Sequence, residues 1–116
     1  MAQLTERIDL LPRYTTFVGA TMVHTRPLDI RRFATANLVA WAGAGNGTDA
    51  VLSIQVQQSG DMMAWEDVGD AFEPDAGEVP GTRDFTLPWL RLEVTLTGEN
   101  PAFTCWMTGE FVVRGR

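Results

Sequence analysis

A chain of 116 residues with 45 % hydrophobic and 21 % charged side chains has the composition of one globular domain and not of a disordered segment. Its net charge of −6, with all nine positive side chains arginine, argues against binding nucleic acid through clustered phosphate contacts. No apolar run approaches the roughly 18 residues of a membrane helix, and one cysteine cannot close an internal disulfide, so neither a membrane partner nor a disulfide-stapled scaffold is expected.

Residues 1–13 read as a short N-terminal arm. Leu4, Ile8 and Leu11 recur at helical spacing and Pro12 closes the segment, too short for a stable helix alone. The arm must dock on its own domain, dock on a neighbour, or stay mobile. Residues 14–116 then form a single β-domain. Thr15 to Thr25 and Arg32 to Trp41 are rich in Phe, Val, Thr and Trp and read as strands. Between Gly43 and Thr48 the Asn46-Gly47 dipeptide signals a tight hairpin. It also opens a glycosylation sequon, which reads more simply as a turn.

From Val51 to Ser59 the period is two: Leu52, Ile54 and Val56 face inward, while Ser53, Gln55 and Gln57 face out. Ser59, Asp61 and Trp65 resemble the Asp-box hairpin, with Met63 where that motif has glycine. The segment reads as a hairpin with Trp65 as a core anchor, and a single copy excludes the propeller that carries several. Ala64 to Val68 and Arg83 to Leu87 read as short strands, with a break from Pro74 to Gly81. Trp89 to Thr97 is the clearest strand, with Leu90, Leu92, Val94 and Leu96 on one face. After a break at Gly98 to Pro101, Phe103 to Val113 forms the last strand, its apolar phase holding Phe103, Cys105, Met107, Phe111 and Val113. Seven or eight short strands with regular turns predict an antiparallel β-sandwich or jelly roll, because each half-apolar sheet needs another to cover it.

Little in the chain suits catalysis. The one histidine, His24, reads as a strand surface residue, there is no G-x-S-x-G elbow, and His24 and Cys105 are too few for a zinc site. Cys105 is expected to be a buried, inert thiol. The acids from Asp61 to Asp84 lack the spacing of a calcium loop and read as solvated. No enzyme activity and no cofactor are expected. The charge is uneven: residues 1–41 hold five Arg against three acids, and residues 42–116 hold four against twelve. This reads as a solubilising acidic surface.

The segment Leu52 to Asp61, followed by Trp65-Glu66-Asp67-Val68-Gly69 and then by Trp89-Leu90-Arg91-Leu92-Glu93-Val94-Thr95-Leu96-Thr97-Gly98, resembles the small β-sandwich structural proteins of tailed bacteriophages and prophages. The resemblance covers residues 34–113. It implies a capsid decoration, minor head or tail-associated protein, made in the host cytoplasm and located in the virion. The partners it implies are capsid or other virion proteins, with assembly into a homo-oligomer. Candidate contact residues are Leu4, Ile8 and Leu11 of the arm, Met62 and Met63 of the hairpin, and Trp89 and Trp106, which fall in the polar phase of their strands. The same two tryptophans support an alternative, a carbohydrate-binding module, since sugar rings stack on exposed aromatic faces.

Overall fold

The computed structural model describes residues 4–115, which form eight β-strands and no helix. In chain order they are β1 (Thr5–Val18), β2 (Thr21–His24), β3 (Leu28–Asp29), β4 (Phe33–Ala42), β5 (Asn46–Ser59), β6 (Glu66–Asp67), β7 (Gly77–Asp84) and β8 (Trp89–Val113). Every pairing is antiparallel.

The 25-residue β8 organises the whole molecule. Its first half pairs with β5 on one side, from Ser59↔Trp89 to Val51↔Thr97, and with β2 and β3 on the other. Its second half pairs with β1 and β4, and β7 continues the sheet beyond β4. One antiparallel sheet thus curls into two leaves, as the alternating pattern predicts. Leu52, Ile54, Val56, Leu90, Leu92, Val94 and Leu96 of one leaf join Ala36, Leu38, Ala40, Phe103, Cys105, Met107 and Phe111 of the other in a single core. Each large aliphatic side chain removed from water there contributes roughly 1.5–3 kcal/mol.

Four local expectations are corrected by this arrangement. The expected arm is not separate: from Thr5 onward it is the first half of β1, while Met1–Gln3 lie outside the described residues. The i, i+4, i+7 spacing of its apolar residues comes from a bulged strand, since the register shift between Asp9 and Leu11 moves the inward phase from Ile8 to Leu11. The break at Gly98–Pro101 is a bend within β8, with Gly98 at φ 109° and Asn100 at φ 49°. Asn46-Gly47 adopts positive φ at Gly47 but makes no hairpin, because β4 and β5 pair with β8 and not with each other. Finally, the stretch expected as a break contains most of β7. Pro80 is tolerated there because β7 is an edge strand, where a missing N–H interrupts no second ladder.

Cys105 lies fully inside the core, and burial pushes its thiol from an ordinary 9.0 up to about 11. The native thiol is therefore expected to resist alkylation at mildly alkaline pH and to react only on unfolding. Because the folded value is raised, the neutral thiol's contribution to stability is complete below pH 9.0 and is lost as pH rises toward about 11. The slope in that window is at most about 1.4 kcal/mol per pH unit. Denaturant melts across it should show the decline, and Cys105→Ala should remove that component.

Candidate contact surface

The residues expected to meet a partner are scattered by the fold, not gathered. Leu11 is in the core and Ile8 packs against it, so neither offers a surface. Leu4 is 73 % exposed, its carbonyl accepting a hydrogen bond from the Val113 amide.

Met62 and Met63 occupy the tip of the hairpin between β5 and β6, and Met63 is 84 % exposed. Their sequence context explains the tip's shape. The Ser59 hydroxyl accepts from the amides of Asp61 and Met62 at 3.2 and 2.9 Å, and the Asp61 carboxylate accepts from those of Met63 and Ala64 at 2.8 and 3.0 Å. Four backbone donors that strand pairing cannot reach are thereby satisfied. Met62 is held at φ 63° and its carbonyl accepts from the Trp65 indole. Beside the tip lies an open pocket of about 330 Å³ lined by Gly60, Asp61, Ala64, Trp65, Glu66 and Leu87. The backbone of this apolar tip is fixed before any docking, so ordering it costs little further freedom.

The amides of Ala64 and Met63 hold the Asp61 carboxyl below its ordinary 3.8. A depressed folded value means that the cap is intact above pH 3.8 and weakens as pH falls through the folded value. Amide-exchange protection at Met63 and Ala64 should follow that titration, and Asp61→Asn, which still accepts hydrogen bonds but does not ionise, should abolish the pH dependence.

The tryptophans are positioned differently from the expectation. Trp65 is not a core anchor: it lies half-buried at the surface with the Arg91 guanidinium 4.4 Å from its ring centroid. Arg31 sits over Trp89 at 5.7 Å and Arg13 over Trp106 at 4.7 Å. Trp106 is only 9 % exposed, stacked on Trp41 at 6.1 Å and 12°. Sugar stacking on Trp89 or Trp106 would require displacing a guanidinium. Arg32 over Phe33 and Arg83 over Phe72 complete the pattern, so five of the eight arginines among the described residues lie over aromatic rings. A flat guanidinium stacks where an ammonium does not, which supplies a packing reason for a chain whose cations are all arginine.

Sequence reasoning missed Arg13 and Tyr14. The second register shift of β1 throws Pro12–Tyr14 out as a bulge, with Tyr14 at φ 63° and the Thr15 hydroxyl donating to the Pro12 carbonyl at 2.6 Å. Tyr14 is 69 % exposed and meets Trp41 edge-on at 6.5 Å and 89°. The apolar phase carried no signal of it, since Leu11 and Phe17 are an even number of positions apart and the bulge preserves the alternation; Pro12 was the local mark.

Several other polar groups are engaged structurally. His24 bonds Glu93 at 3.0 Å across β2 and β8. Gln57 donates to Asp67 and accepts from Arg91, and Gln58 accepts from the amides of Thr86 and Leu87. Among the described residues no three His, Cys, Asp or Glu side chains are grouped as metal ligands, and no helix is long and apolar enough to cross a membrane.

No protein-family profile matches the sequence, and no curated protein matches it. Among solved structures, the chain is similar to a chain in the structure of infectious bursal disease virus, Gx strain, with a TM-score of 0.59 and 12 % identity. The match covers 98 % of this chain and 33 % of the viral one. This chain therefore spans about a third of the length of the chain it matches, and at that identity the likeness is one of fold.

Proposed function

We propose that this chain is a non-enzymatic structural subunit of a virus particle, which works by binding other virion proteins. The observation that carries the reading is the fold likeness to a chain in a virus structure over nearly the whole of this domain. The strand motifs at residues 52–69 and 89–98 favour a tailed-phage particle within that class, as a decoration, minor head or tail-associated protein. The methionine tip suits the task, since Met adapts to irregular surfaces and many copies on a repeating shell gain avidity from modest single contacts.

Sheet extension is disfavoured at two edges: that of β1 is interrupted by its two bulges and Pro12, and that of β7 carries Pro80.

The test is co-sedimentation of the purified protein with candidate phage particles, with light scattering of the free protein for its oligomeric state. Saturable attachment is expected, and Met62→Asp/Met63→Asp should weaken it about tenfold or more without changing the melt. Asp also tolerates the positive φ of Met62 better than Met does. A protein that stays in the supernatant with every particle tested would sink the reading.

A further inference from the structure

The outer face of the leaf formed by β7, β4, β8 and β1 carries a concavity that the virion reading does not use. Cross-strand partners share a face of a sheet, and the register sets out three rows there. The tallest holds Trp106 opposite Trp41, with Tyr14 against Trp41. In the next, Thr16 faces Thr104, whose carbonyl accepts from the Gly43 amide. In the last, Val18 and Asn46 flank Ala102 from opposite sides. Small side chains between taller ones leave an open pocket of about 300 Å³, lined chiefly by Thr16, Gly43, Ala44, Asn46, Ala102 and Thr104. Trp41 stands at its rim, since a Cβ on Gly43 would lie 3.5 Å from the Trp41 ring.

We propose that this pocket binds one neutral pyranose ring, such as the terminal hexose of a glycan. No lining residue carries a charge. Two hydroxyls, paired with each other at 3.1 Å, and the exposed Asn46 carboxamide supply both donors and acceptors, which a polyhydroxylated ring requires. Trp41 at the rim, with Tyr14 edge-on against it, offers the nearest aromatic surface to its C–H face. The volume lies at the lower end of the roughly 300–1,000 Å³ typical of ligand sites, which fits one ring and not an extended chain. An anionic ligand would face two acids, Glu78 as cross-strand partner of Trp41 and Glu99 as that of Thr48, against one nearby cation, Arg13 over Trp106. Tyr14 also keeps a positive φ, uncommon for a non-glycine residue, and the bulge so formed sets its ring edge-on against Trp41. This site is independent of Trp89 and of the methionine tip, so the sugar titration and the particle experiment fail separately.

The test is a titration of the intact protein with the methyl glycosides of glucose, galactose, mannose and N-acetylglucosamine, with N-acetylneuraminic acid as the anionic control. The readouts are backbone amide shifts and tryptophan fluorescence. At least one neutral glycoside should bind saturably in the millimolar range, moving the amides of Gly43, Ala44 and Asn46, while the acid does not. Tyr14→Gly, which relieves the backbone, and Asn46→Ala should each weaken binding about five- to tenfold with the unfolding midpoint retained. Absence of a saturable shift with all four glycosides, unchanged affinity in both variants, shifts centred elsewhere, or preference for the acid would each overturn the proposal.

Discussion

Deletion of residues 1–13 is expected to leave no stably folded domain. The deletion removes the cross-strand partners of Met107 to Val112, from Leu11↔Met107 to Thr5↔Val112, and with them Leu11 from the core. Loss of a buried leucine side chain alone costs about 2–5 kcal/mol, against a total of about 5–15 kcal/mol for a typical domain. The truncation also strips one side of the second half of β8, exposing a long unpaired edge that invites aggregation, and takes Glu6 from its ion pair with Arg32. Soluble yield and near-ultraviolet circular dichroism measure the outcome. A truncated chain that melts cooperatively at the full-length midpoint would mean that the first half of β1 is an appendage after all, free to serve a partner.

The second large effect is expected at Gly98, the point where β8 bends from one leaf into the other. Its φ of 109° is one that L side chains rarely adopt, and a Cβ there would lie 2.7 Å from the carbonyl oxygens of both Thr48 and Asp49. Those oxygens belong to backbone at the start of β5 and cannot swing aside as a flexible side chain would. Gly98→Ala should therefore combine backbone strain with displacement of β5, a loss on the order of 3–5 kcal/mol. Gly19→Ala is the matched control: φ is 91°, but nothing lies within 4 Å of the added methyl, so only the strain, about 1–2 kcal/mol, should be lost. Urea melts of the two variants separate the terms. Equal losses would show that the bend does not depend on the close approach of β5.

The two variants bear on function because they act on what positions the proposed sites. The bend brings the start of β5, and with it Asn46, beside Ala102 on the face that holds the pocket. The first half of β1 leads into the bulge that carries Arg13 and Tyr14. The methionine tip depends on neither, since Ser59 and Asp61 shape it locally.

That difference marks what was legible in the residues alone. The alternation in Val51 to Val56, Trp89 to Thr97 and Phe103 to Met107 determined which side chains face the core, because a strand's period of two is a local property, whereas Gln57, expected outward, is buried beneath Arg91 and Asp67. The same alternation placed Cys105 inside, and the Ser59 and Asp61 turn was readable because its hydrogen bonds close within a few residues. Only the tertiary structure decided the rest. Whether Leu4, Ile8 and Leu11 mark a helix or a bulged strand depends on an edge of β8 about a hundred positions away. Whether Trp106 and Trp89 are open or roofed depends on Arg13 and Arg31, which reach them from the β1 bulge and from the turn between β3 and β4. Continuity through Gly98 depends on β5 pairing across the bend. In each case the deciding partner is distant in the chain, and local pattern holds no record of it.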